Sequence, residues 1–246
     1  MLKNEREREI LRMIESGGGF ATVRELCERL FASESSIRRD LRALEARGLI
    51  RRSHGGAERN INPSGGIAFA SRTGQNAEEK RAMAQIAKRL VKNGDIVFLD
   101  QSSSAFYLAE ELAGNRTLTF VTNNVQILSL LAESSAKVYG SGGMLCPENR
   151  TCLIGEDAAA TFARVRADVA FFSARSLSED GVISDLSREE VLVREAMIKN
   201  AQKTVFLCNL FKLGTRSAYV QCRLADVDFY VNENGVFDGS GERAQL

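Results

Sequence analysis

On a helical wheel of about 100° per residue, Ile37, Leu41 and Leu44 fall on one side, and Ser35, Arg38, Arg39, Arg42 and Ala46 on the other. A stretch divided this way has an apolar stripe to bury and a face of small polar and guanidinium groups to present. Such a helix suits a major groove, where arginine forks onto guanine edges or grips phosphates. An arginine face can equally be a solvated one held by weak ion pairs, so the surrounding charge matters. From Ser35 to Arg59 seven arginines (38, 39, 42, 47, 51, 52 and 59) stand against three acids, Asp40, Glu45 and Glu58, while the whole chain has a formal net charge of only +1. Positive charge concentrated in one segment is the electrostatic footprint of a phosphate-binding surface. Asp40 sits at the edge of the buried stripe and reads as a structural partner for a neighbouring arginine.

The flanking residues complete a small unit. Residues 4–16 place Ile10, Leu11 and Ile14 at helical spacing before Gly17-Gly18-Gly19, a run that cannot hold a helix. Thr22-Val23-Arg24-Glu25 has the form of a capping box. The helix it opens would bury Val23, Leu26, Cys27 and Leu30. Ala32-Ser33-Glu34 then reads as a turn, with Ser33 the N-cap of the arginine-bearing helix and Gly48 its end. Residues 49–57 read as a short hairpin, or wing. The expected architecture is a helix, a helix-turn-helix and a wing.

Ser33-Glu34-x-Ser36-Ile37-Arg38-Arg39-Asp40-Leu41, followed by Leu44-Glu45-x-x-Gly48 and Arg52-x-His54-Gly55-Gly56-Ala57, resembles the signature of the DeoR family of bacterial sugar-responsive repressors. On this reading Arg38 and Arg39 contact bases or backbone, assisted by Ser35, Ser36 and Arg42. Arg51, Arg52 and His54 hold flanking phosphates or the minor groove.

At 246 residues, with 44% hydrophobic and 26% charged residues, the chain has room for one small and one medium domain. No stretch approaches the apolar length that spans a bilayer, and the charged start, Met1-Leu2-Lys3-Asn4-Glu5-Arg6, lacks a signal-peptide apolar core. Cys27, Cys146, Cys152, Cys208 and Cys222 are scattered without a C-x-x-C pair, which suits free thiols in a reducing cytoplasm. With His54 the sole histidine and no ligand spacing, neither a metal site nor a cofactor is expected. The expected division is a DNA-binding head over 1–57, a linker over 58–77 rich in turn residues, a larger domain over 78–235 and a tail over 236–246.

From Ala77 onward helical patterns alternate with short apolar strands, including 95–99, 117–121, 136–139, 168–172, 204–208 and 227–231. This alternation predicts an α/β fold with a mostly parallel sheet, whose ligands bind beyond the carboxyl ends of the strands. The loops there are polar and small: Asp100-Gln101-Ser102-Ser103-Ser104, Thr122-Asn123-Asn124, Gly140-Ser141-Gly142-Gly143, and Cys208-Asn209 with Lys212 just after. Hydroxyls and helix-start amides offer an anion site, and glycines permit close backbone approach. Each loop alone reads equally as ordinary capping and turn chemistry; together they suggest a pocket for a small hydroxylated anion.

The family resemblance extends through this domain. It implies a sensor similar in fold to ribose-5-phosphate isomerase and glucosamine-6-phosphate deaminase, binding a phosphorylated sugar or related metabolite. Asp100, Ser102, Ser103 and Ser104 match the family's phosphate loop, Thr122-Asn123 its Thr-Asn, and Gly142-Gly143 its Gly-Gly. Glu190, Arg194 and Met197 match its Glu-x-x-x-Lys/Arg-x-x-Met helix, although Glu190 also fits a capping box opened by Ser187. Lys212 matches the lysine of its Asp-x-Ser-Lys-Phe segment. Departures are Asn209 in place of the aspartate, Leu210 and Phe211 at small or polar positions, and Ser173-Ala174-Arg175-Ser176 in place of a glycine-containing loop.

The expectation is therefore a cytoplasmic, oligomeric transcriptional regulator acting as a repressor, with operator DNA and a phosphorylated metabolite as partners and no catalytic residues. The competing reading is a sugar-phosphate isomerase with an appended DNA-binding head, its acid/base chemistry supplied by Glu179, Asp180 or Asp185. A Ser-His-acid triad is excluded, because the larger domain has no histidine.

Overall fold

The structure, a computed structural model, describes residues 3–16, 19–46, 50–53, 55–59 and 69–244. They divide into two compact units, Met1–Arg72 and Thr73–Leu246.

In the first unit, α1 (Lys3–Ser16), β1 (Phe20–Thr22), α2 (Val23–Leu30), α3 (Glu34–Ala46), β2 (Ile50–Ser53) and β3 (Gly56–Arg59) surround one core. Ile10, Ile14, Leu26, Ile37, Leu41, Leu44, Ile50 and Ala57 are its buried centre, so the stripe read from α3 is the face that packs. The capping box forms as expected: the Thr22 Oγ1 accepts from the Glu25 amide at 3.1 Å and the Glu25 carboxylate accepts from the Thr22 amide at 2.8 Å. These bonds hold the Glu25 carboxyl below its ordinary range. The wing is the antiparallel pair β2–β3, extended by β1 on the other side of β3. That third strand is too short to leave a periodic signal.

Asp40 is 1% exposed and accepts from Arg6 Nε at 2.6 Å. Its partner is thus an arginine of α1 rather than one on its own helix, and the pair ties α1 to α3. Gly48, Arg47, His54 and residues 60–68 of the expected linker lie outside the described residues, as do the side chains of Ala46, Arg51 and Arg59. Within the expected linker, residues 58–59 belong to β3, and α4 (Phe69–Gly74) is helical.

The second unit contains α5 (Ala77–Ala87), β4 (Ile96–Leu99), α6 (Ser103–Leu112), β5 (Thr119–Thr122), α7 (Val125–Ala132), β6 (Lys137–Gly140), the hairpin β7–β8 (Met144–Leu145, Leu153–Ile154) and α8 (Glu156–Ala163). It continues with β9 (Val169–Phe172), β10 (Ser176–Leu177), β11 (Val182–Asp185), α9 (Arg188–Lys199), β12 (Thr204–Leu207), β13 (Tyr219–Arg223), β14 (Phe229–Asn232) and β15 (Gly235–Asp238). Seven strands form one sheet in the order β15-β14-β12-β9-β4-β5-β6, parallel throughout except for β15 at its edge. Alternate residues face opposite sides. Val97, Leu99, Phe120, Phe171 and Leu207 pack in a core with residues of α5, α6 and α7. Phe98, Val121 and Ala170 pack in another with residues of α8 and α9.

Within the expected tail of 236–246, residues 236–238 belong to β15 and Ala244 bonds back onto it; 245–246 lie outside the described residues. β15 pairs with β14, Val236 is buried, and the Ala244 amide bonds back to the Val236 carbonyl at 2.9 Å. A second small sheet, β10-β11-β13, has no counterpart in the sequence reading. No helix among the described residues is long and apolar enough to cross a membrane.

The strand order reverses once. From β4 the chain moves outward to β5 and β6, then returns to the other side of β4 with β9 and continues to β12 and β14. In parallel α/β sheets such a switch point opens a crevice at the carboxyl ends of the diverging strands. Here the switch point lies between the loops after β4 and β9, those of Asp100 and Ser173.

Candidate functional site

Two constellations stand out, one in each unit. On the first, α3 presents Ser35, Arg38, Arg39 and Arg42 to solvent, with Ser36 half-buried. The Ser33 hydroxyl bonds those of Ser35 at 3.1 Å and Ser36 at 2.9 Å, tightening the first turn. Arg38 is held by Glu34 one turn earlier, at 2.6 Å. Arg52, from the wing, donates to Glu45 of α3, whose carboxylate also accepts the Arg52 amide. These bonds from Arg52 hold the Glu45 carboxyl below its ordinary range. Arg39 and Arg42 have no ion pair among the described residues. Arg38 and Arg52 line the same cleft, together with Val23, Leu41, Ser53, Gly55 and Gly56. The geometry therefore brings the cations of the helix and the wing together. Both bound arginines sit in exposed pairs worth about 0–1 kcal/mol, weak enough to exchange for a phosphate or a guanine edge.

On the second unit the centre is Arg194, a guanidinium 1% exposed in the middle of α9. It faces Asp185 at 2.6 Å, Asp100 at 3.5 Å and Glu190 at 3.5 Å, and donates to Gln221 at 3.1 Å. Burial opposes its charge, yet Asp185, Asp100 and Glu190 outweigh that and raise its pKa. Asp100 receives its second set of bonds from the chain: the amides of Ser102 and Ser173, both at 3.0 Å. Burial raises the Asp100 pKa, and Arg194 works against the rise.

Asp100 thus crosses the switch point, tying the β4 loop to the β9 loop and both to α9. Glu190 accepts from Gln101 at 2.8 Å and Asn149 at 3.1 Å, and Asn123 donates to Gln101 at 3.3 Å and to the Leu153 carbonyl at 3.0 Å. The capping box proposed for Glu190 is half present: its amide donates to the Ser187 hydroxyl, while its carboxylate points into the network.

The remaining expected residues sort as follows. Ser102 is the N-cap of α6, accepting from the Ala105 amide at 3.0 Å. The amides of Ser103 and Ser104 follow it in the first turn, where no intrahelical acceptor exists. Thr122 is buried, its hydroxyl accepting from the Asn124 amide at 3.1 Å. A Cβ on Gly143, at φ +96°, would stand 2.5 Å from the Ile154 carbonyl oxygen, so that glycine is required by packing against β8 and α8. Gly142 has open space around it.

Lys212, partly exposed, donates to the Ser173 hydroxyl at 2.7 Å and the Ala174 carbonyl at 2.8 Å. Burial lowers its pKa. Ser173, Asp185, Asn149 and Gln221 complete the network although sequence reasoning did not place them there. Ser173 opens the Ser173-Ala174-Arg175-Ser176 loop and Asp185 is one of the acids following it, but Asn149 and Gln221 carry no local signal.

Burial pushes the Cys208 thiol up to about 12, so this cysteine beside the site is a neutral packing group near pH 7. Among the described residues no His, Cys, Asp and Glu group is placed to hold a metal ion. The arrangement sets hydrogen-bond donors, Lys212 and the first amides of α6, beside a closed, charge-paired network.

Comparison with known proteins agrees with this division. Residues 6–62 match the DeoR-like helix-turn-helix domain, and residues 75–234 match the DeoR C terminal sensor domain. The chain is 31% identical over 245 residues to the HTH-type transcriptional regulator GlpR of Haloferax volcanii, covering 100% of this chain and 95% of that protein. It is 30% identical to the glycerol-3-phosphate regulon repressor of Haemophilus influenzae, over 93% of this chain and 89% of the relative. Among solved structures, ribose 5-phosphate isomerase A of Methanocaldococcus jannaschii aligns with a TM-score of 0.43 at 19% identity, over 56% of this chain and 55% of that one.

Proposed function

The chain belongs to the DeoR family of transcriptional regulators, and on that footing we propose that it is a repressor released from its operator by a phosphorylated sugar or related metabolite. The observation that carries the reading is the pairing of two sites on one chain: a cleft lined by Arg38 and Arg52 in the head, and the Arg194-centred switch-point network in the sensor. Heads presented in pairs by an oligomer would read repeated or palindromic half-sites. The name of the Haemophilus relative, a glycerol-3-phosphate regulon repressor, supports a phosphorylated effector here. Binding would favour one of two sensor arrangements, and operator affinity would fall by the difference in ligand affinity between them.

Sensing is favoured over catalysis by the way the acids are used. Of the three acids of the isomerase reading, Asp185 is tied to Arg194, while Glu179 and Asp180 are exposed, Asp180 bonding Ser178 and Arg216; isomerisation needs a base free to reach a substrate proton in a site shielded from water. Screening sugar phosphates by thermal unfolding tests the sensor: a true effector stabilises the folded chain by RT ln(1 + [L]/Kd), about 2.7 kcal/mol at a hundredfold excess over Kd, and raises the unfolding midpoint accordingly. Lys212→Ala and Ser103→Asp are each expected to abolish that rise while leaving operator affinity unchanged. Persistence of the rise in both variants contradicts the phosphate site.

The head is tested by salt. A phosphate contact from Arg52 makes Arg52→Ala weaken binding to all duplexes alike and flatten the slope of log K against log salt by about one unit per head. An unchanged slope would leave Arg52 as a wing-to-helix tie to Glu45 alone.

A further inference from the structure

The turn between α2 and α3 contains a residue that serves neither the fold nor the ionic surface. Phe31 is 96% exposed, the most exposed large apolar side chain among the described residues. It also sits at φ +48°, ψ +43°, the left-handed conformation in which a Cβ crowds the following carbonyl. The conformation itself is needed: it ends α2, with the Phe31 and Ala32 amides both returning to the Cys27 carbonyl. Glycine or asparagine fills such a position without strain. Phenylalanine there adds backbone strain and exposes an aromatic ring, and nothing in the first unit's core is gained in exchange. Strain held at one point together with an exposed ring points to a function outside the fold.

Its place in the chain indicates the partner. Phe31 stands three positions before Glu34, the first residue of α3, and the turn that follows it carries Ser33 and Ser35 and, one turn on, Arg38. Helix-turn-helix domains bring the amino end of the second helix to the base edges, and an exposed ring in the turn just before that end is within a few residues of them in the chain. Apolar contact in the major groove is made to one group alone, the 5-methyl of thymine.

We propose that Phe31 is a further specificity-determining residue, an apolar contact that reads a thymine methyl at the edge of each half-site. The inference rests on the repressor reading above, and the experiment separates the two. Full-length Phe31→Gly and wild-type chains are titrated against a duplex from the protein's own promoter, made once with thymine and once with uracil. Removing the phenyl relieves the left-handed strain, so the variant is expected to unfold at the wild-type temperature or above it.

On thymine DNA the variant is expected to bind about three- to tenfold more weakly per head, the scale of one or two buried methyl-sized contacts. On uracil DNA that deficit disappears, because the group being read is absent from both titrations. Wild-type affinity of Phe31→Gly for thymine DNA would overturn the inference, as would an equal deficit on the two duplexes. Either result would leave the repressor reading intact as long as the wild-type chain binds; failure of the wild-type chain on both duplexes would instead remove that reading.

Discussion

Replacing Arg194 by methionine is expected to destabilise the sensor unit by about 3–5 kcal/mol, the usual effect of removing one partner from a buried ion pair. For a unit of this size that corresponds to a fall in unfolding midpoint on the order of 10 °C. The reason is the ledger around the side chain: Asp100, Asp185 and Glu190 all face Arg194 within 3.5 Å. Methionine matches the length of the stem and leaves three carboxylates with no guanidinium among them.

The loss should also acquire a pH dependence. Burial already raises the Asp100 pKa and Arg194 works against the rise, so without the cation that carboxyl moves further above its unfolded value and the folded variant binds a proton that the unfolded one does not. Its stability is then regained as pH falls and lost as pH rises through that raised value. Chemical unfolding of wild type and variant at about pH 7.5 and about pH 5.5 should show the gap narrowing at the lower pH. A variant that unfolds with the wild type at both would mean that Arg194 is not what holds the β4 loop, the β9 region and α9 together.

Arg38→Ala is expected to cost about 1–3 kcal/mol of operator binding per head, roughly five- to 150-fold, with relaxed preference at one base pair, if the guanidinium forks onto a guanine. In the free head Arg38 is bound by Glu34 at 2.6 Å, but that pair is exposed and contributes little. Exchange to a guanine edge in a groove that excludes water therefore yields a net gain. Titrations against the promoter duplex and against single-base variants separate base reading from simple phosphate contact. A uniform loss on every sequence would reassign Arg38 to the backbone, and no loss would remove it from the interface.

What was legible in the sequence was local. The stripe of Ile37, Leu41 and Leu44 and the Thr22–Glu25 box depend on residues within two helical turns, and both are present. The alternation of buried strands with helices was equally plain, because strands covered on both faces, such as residues 169–172 and 204–207, are apolar runs. The strands that escaped notice are short or half-exposed: β10 has two residues, and β13 exposes Tyr219 and Val220. They exist through pairing with β11, a contact that no window of neighbouring residues contains.

The same limit governs the site. The loops of Asp100, Asn123 and Lys212 were recognisable as polar segments after strands. The role of Asp100 was not, because its partners Ser173 and Arg194 arrive 73 and 94 positions later in the chain. Asp40 shows this in the head: its buried character could be read from the wheel, but its partner Arg6 lies 34 residues away on another helix.

The proposed function requires the amino-terminal unit to grip duplex DNA through the arginines of α3 and the wing. Fluorescence anisotropy of the full chain on its own promoter duplex, repeated across a range of salt concentrations, measures this directly. The account predicts saturable binding at low ionic strength, with log K falling linearly against log salt in proportion to the phosphates contacted. Anisotropy that stays at the value of free DNA at low salt would contradict it.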